Sequence, residues 1–156
     1  MLKKLSAGAW ISLIAAVLTL VSVILYTVNI NSEGYFKNAS VTNLTVYAIL
    51  ALILFLAAAA LGQVKLSGGA ATAVELLSGA MQIVAPVLLA LCLISLIAAR
   101  AEGLGFIYFS NADVILEVQT PANLASATGS IASMIALGVA IVIGLAGAFC
   151  PVRRKD

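Results

Sequence analysis

The sequence predicts an all-α integral membrane protein folded as a four-helix bundle, and three observations lead there. Of its 156 residues, 63% are hydrophobic and only 9% are charged, whereas soluble domains carry roughly a quarter charged residues. Four apolar windows, residues 7–28, 44–61, 73–99 and 121–150, are close to or beyond the ~20 helical residues that cross a hydrocarbon core of about 30 Å. None of them alternates polar and apolar residues, which excludes an outer-membrane barrel, and unpaired backbone groups in lipid require helices. The spans use up most of the chain, so residues 1–156 are read as a single domain.

The first span follows Lys3 and Lys4, as the core of a secretory signal would. It runs on to Val28, however, past the ~7–15 residues of a signal core, and Tyr26-Thr27-Val28-Asn29 offers no small-x-small cleavage pattern. It is therefore expected to be retained. Ser12, Ala15, Thr19, Ser22, Tyr26 and Asn29 follow one another at alternating steps of three and four residues, a seam of small and hydroxyl side chains facing the bundle. The second span is entered through Asn43-Leu44.

The third span opens at Thr72-Ala73-Val74-Glu75, a capping-box pattern after Ser67-Gly68-Gly69, and Pro86 inside it is expected to kink it. Gln82 is expected to hydrogen-bond to a neighbouring helix. Before the fourth span, Ser110-Asn111-Ala112-Asp113 resembles another capped start. Val114, Ile115, Glu117 and Val118 then form a short amphipathic interfacial helix, anchored by Phe106, Tyr108 and Phe109. The fourth span begins at Thr120-Pro121 and stops before Pro151. Along it, Ala132, Ala136, Ala140, Gly144 and Ala148 recur every fourth residue, a helix-packing ridge that lets another backbone approach.

Orientation follows from basic residues, which are held on the cytoplasmic side. Lys3, Lys4, Lys65, Arg153, Arg154 and Lys155 fall on one side and Lys37 and Arg100 on the other. Both termini are thus expected in the cytoplasm, in a bacterial plasma membrane. The same distribution accounts for the net charge of +2 without a nucleic-acid partner.

One signature occurs twice. Glu33-Gly34-Tyr35-Phe36-Lys37-Asn38-Ala39 follows the first span, and Glu102-Gly103 with Tyr108-Phe109-Ser110-Asn111-Ala112 follows the third. Asn43-Leu44 and Asn123-Leu124 then lead into the second and fourth spans. This predicts two parallel helix-loop-helix repeats, 1–62 and 72–150, related by an axis along the membrane normal. The candidate outer-face site collects Glu33, Tyr35, Phe36, Asn38, Arg100, Glu102, Tyr108, Phe109 and Asn111. If Glu33 and Glu102 converge, their carboxylates and the nearby amide oxygens suit a hard cation; if not, they pair with Lys37 or Arg100, or meet water.

Chemistry is otherwise scarce. No ionisable group stands in mid-span, the place where proton relays and coupling sites need one. Small multidrug-resistance transporters share the size and the four helices, but their intramembrane glutamate has no counterpart in the first span. The outer-loop tryptophan and cysteine pair of claudins, the cysteine-cysteine-glycine motif of tetraspanins and a Cys-x-x-Cys are missing too. With no histidine and only Cys92 and Cys150, no zinc site, cofactor or hydrolytic centre is expected. The expectation is a non-enzymatic tetraspan scaffold or accessory subunit, homo-oligomeric or bound to another membrane protein as well as to lipids. The alternatives are a small channel lined by Ser12, Thr19, Ser22, Gln82 and Ser95, or lipid or ligand binding at the outer face.

Overall fold

The computed structural model describes residues 5–64 and 67–152. Among them all regular structure is helical: α1 (Ala7–Asn31), α2 (Leu44–Leu61), α3 (Gly69–Phe109), α4 (Ala112–Val118) and α5 (Pro121–Ala148). Four of these, all but α4, are long and apolar enough to cross a membrane. The basic residues that set the expected orientation, Lys3, Lys4, Lys65, Arg153, Arg154 and Lys155, lie outside the described residues.

Local chemistry explains most helix ends. Ser6 caps α1, its hydroxyl accepting from Ala9 N at 3.1 Å. Thr120 does the same for α5 by accepting from Asn123 N at 3.2 Å, with Pro121 in the first turn. Asn111 caps α4 through Val114 N at 3.1 Å, so the cap is Asn111 rather than Ser110. Each bond satisfies an amide that the helix start leaves free.

α3 departs from expectation at both ends. It starts at Gly69, behind Gly68 with φ +67°, and Thr72 therefore lies inside the helix instead of capping it. Alanines at 70 and 71 favour the extra turn. At its other end the helix passes through Glu102, Gly103 and Gly105 to Phe109, because Ala98, Ala99 and Ala101 carry it past the expected stop at residue 99. At 41 residues its length is about 60 Å, against about 27 Å for the 18 residues of α2.

α1 packs against α2 and α5, and α3 against α2 and α5. The four long helices thus form a ring in the order α1, α2, α3, α5, with α1 facing α3 across it. Their buried positions repeat at steps of four and three: Leu44, Ala48, Ala51, Phe55 and Ala58 on α2, and Ser126, Ser130, Ser133, Leu137, Ala140, Gly144 and Gly147 on α5. That 3.5-residue period is the seam of left-handed helix packing. On α1 the expected seam of Ser12, Ala15, Thr19, Ser22, Tyr26 and Asn29 is buried throughout.

Two kinds of contact hold the ring. The α2–α3 side is mainly apolar, with Leu44, Phe55, Leu89 and Leu96 in the main core. The α1–α5 side is hydrogen-bonded: Ser22 and Ser133 each donate to the other's carbonyl, at 3.2 and 3.3 Å. Across the ring, Gln82 Nε2 on α3 donates to Ser12 Oγ on α1 at 2.9 Å. Of the expected ridge on α5, Ala140 and Gly144 are buried, while Ala132, Ala136 and Ala148 are only partly covered. A Cβ at Gly144 would lie 2.7 Å from the Phe55 ring and 3.0 Å from Pro86, so this position serves packing within the chain.

Candidate functional site at the aromatic end

Residues 32–43 join α1 to α2 in a series of turns, and three left-handed positions shape them: Gly34 (φ +128°), Asn38 (φ +60°) and Asn43 (φ +62°). Asparagine tolerates this region better than most side chains, and glycine pays nothing for it. Gly34 has a second reason to be glycine, because a Cβ there would run into the Ala122 carbonyl and the Ser126 side chain. Here the turn lies directly on the start of α5.

Beyond the bonds at the ends of α1 and α2 themselves, four hydrogen bonds fasten the segment to the helices. Asn38 N donates to Ile30 O at 2.8 Å and Phe36 N to Ser126 Oγ at 3.1 Å. Val41 N donates to Tyr26 Oη at 2.6 Å, and Arg100 Nη2 donates to the Ala39 carbonyl. Phe36 is pushed inward to 3% exposure and forms a small core with Ile107, Val118 and Ala127; Tyr108 and Val114 pack against it. Gly103 lies beneath the ring pair, since a Cβ there would be 2.6 Å from both Tyr35 and Phe36.

Arg100 is the unusual member. It is 3% exposed, and its guanidinium carbon stands 4.6 Å from the Phe36 ring centroid. A cation over an aromatic face is stabilised by the ring quadrupole. Among the described residues no acid lies within salt-bridge distance of it, and its Nε–H has no acceptor. Arg100 thus acts as a cationic strap over the turns, balanced by a carbonyl and a π face.

The nine candidates separate accordingly. Tyr35, Phe36, Arg100 and Tyr108 belong to one assembly; Tyr35 sits edge-on to Phe36 at 5.3 Å and 6.0 Å from Phe106. Glu33 is exposed and ion-paired with Lys37. Glu102, Asn38, Phe109 and Asn111 are also exposed, with Asn111 occupied as the α4 cap. Among the described residues no group of three or more His, Cys, Asp or Glu side chains is placed to hold a metal ion.

One polar cluster escaped the sequence reading. Asn29 Nδ2 donates to Ser126 O at 2.7 Å, and Ser130 Oγ donates to Asn29 Oδ1 at 2.9 Å. Gly129 makes room for it, because a Cβ there would be 2.6 Å from Asn29 Nδ2. The signal was the run of Ser126, Ser130 and Ser133 at steps of four and three. Every side-chain hydrogen-bonding atom of Asn29 is thereby engaged in joining α1 to α5. Of the polar residues expected to line a pore, Ser12, Thr19, Ser22 and Gln82 are buried between helices, and Ser95 is exposed on the outside of the bundle.

No protein-family model matches this chain, nor does any curated protein or solved structure.

Proposed function

We propose that this four-helix membrane protein is a non-enzymatic scaffold or accessory subunit of a complex in a bacterial plasma membrane. In this reading both termini are cytoplasmic, the aromatic end faces outward, and exposed Phe109 and Leu116 of the α4 region anchor in the interface. The observation that carries it is the overhang of α3. None of residues 69–77 is buried, and Leu76 is 76% exposed, so about two turns run on beyond the bundle's own packing.

The overhang continues into a shallow groove lined by Thr72, Glu75, Leu76, Gly79, Ala80 and Ile83. Gly79 and Ala80 lower its floor, which is the surface a second membrane helix packs against most closely. The partner is a second copy of this chain, presenting the same groove. Isologous pairing of this kind is the commonest arrangement of homo-oligomers.

Native mass measurement after mild extraction tests the reading. The wild type should run as a dimer or larger assembly. Gly79→Leu with Ala80→Leu should run as a monomer of unchanged helicity, because a side chain at Gly79 meets nothing within 4 Å inside the chain. A wild-type monomer with no co-extracted subunit overturns it.

A further inference from the structure

At the aromatic end, large apolar side chains and carboxylates share the outward surface of two successive helices. The last turns of α3 bury Gly103 and Ile107, and their outer strip is Glu102, Phe106 and Phe109 at steps of four and three. After Ser110 and Asn111, α4 buries Val118 and leaves Asp113, Leu116 and Glu117 exposed. Gln119 Nε2 donates to Ile107 O at 3.1 Å and holds α4 back against the end of α3. Phe109 and Leu116 are each 86% exposed.

Charge selects what can cover these side chains. Glu33 is neutralised by Lys37, and Arg100 is buried beneath the turns. Glu102, Asp113 and Glu117 are exposed, and among the described residues none of them has an ion-pair partner. The accessible charge beside the apolar side chains is therefore negative. An anionic bilayer surface attracts basic segments and repels carboxylates, so lipid alone is a poor match. A cationic amphipathic helix is a good one, because it lies in the interface with lysine or arginine on one face and large apolar side chains on the other.

We propose that the outward strips of α3 and α4 dock a cationic amphipathic helix of another polypeptide at the membrane surface. Phe106, Phe109 and Leu116 meet its apolar face, and Glu102, Asp113 and Glu117 pair with its basic side chains. A few large anchors carry most of the energy of such an interface once they are covered, and complementary charge sets which partner is accepted. The surface lies at the opposite end of α3 from the Gly79 groove, so it is separate from pairing with a second copy.

The test uses the full chain in phosphatidylcholine nanodiscs and a fluorescent peptide of lysine and leucine at amphipathic helical spacing. Peptide anisotropy should report binding about ten-fold or more tighter than to empty discs at low salt, and weaker binding near ~1 M salt, where the screening length falls to about 3 Å. Glu102→Gln, Asp113→Asn and Glu117→Gln together should weaken it about ten-fold. Phe109→Ala with Leu116→Ala should weaken it at least about five-fold with unchanged helicity, since both side chains project away from the fold. Glu75→Gln, at the far end of α3, should leave it unchanged. Binding no tighter than to empty discs would mean that lipid alone meets the strips. That outcome, full affinity in either strip variant, or an equal loss in Glu75→Gln each overturns the proposal.

Discussion

The two copies of the Gly…Tyr-Phe signature end in opposite surroundings. In the first, Gly34, Tyr35 and Phe36 lie in turns, and Phe36 is 3% exposed under Arg100. In the second, Gly103, Tyr108 and Phe109 lie in the last two turns of α3, and Phe109 is 86% exposed. Similar letters take these different roles because the second copy forms the platform on which the first one closes. Gly103 is small so that Tyr35 and Phe36 fit against it, and Gly34 is small and left-handed so that the turn fits against α5. The two signatures do not make equivalent contacts.

That asymmetry gives the largest expected difference at the phenylalanines. Phe36→Ala should lower stability by about 3–5 kcal/mol, the usual cost of emptying a buried aromatic site. Phe109→Ala should stay within about 0.5 kcal/mol, as exposed substitutions do. Reversible unfolding in mixed micelles measures both, and equal losses would mean that the copies are equivalent after all.

A smaller contrast is expected at the glycines. Gly34→Ala, at φ +128° and against Ala122 and Ser126, should cost more than the ~1 kcal/mol typical of a simple backbone misfit. Gly105→Ala has open space in a helix interior and should gain up to about 1 kcal/mol. A destabilised Gly105→Ala would show that the second copy is held by contacts of its own.

The smallest effect is expected at Glu33→Gln, which breaks only the exposed Lys37 pair and should change stability by less than about 0.5 kcal/mol. A larger loss would restore Glu33 to a part in holding the turns.

The same comparison shows what the residues alone made legible. Helix existence, the α5 start and the whole α1 seam could be read directly, since apolar composition, caps and a four-three period are local signals. Only Ala140 and Gly144 of the α5 ridge are fully buried, because steps of four rotate by about 40° each around the helix. Ala132 therefore lies about 80° from Ala140, off the face that Ser133, Ala140, Gly144 and Gly147 share. The extent of α3 and the burial of Arg100 were not legible. The burial of Arg100 depends on turns from residues 32–43 folding over a helix 61 positions later, and at the outer end of α3 the helix preference of Ala98, Ala99 and Ala101 outweighs the opposite preference of Gly103 and Gly105.

The bond between Gln82 and Ser12 acts like a bolt through the axis of the ring. It joins two helices that face each other across the ring. Donor and acceptor at this level of the ring are thereby committed to each other and not to a solute between the helices.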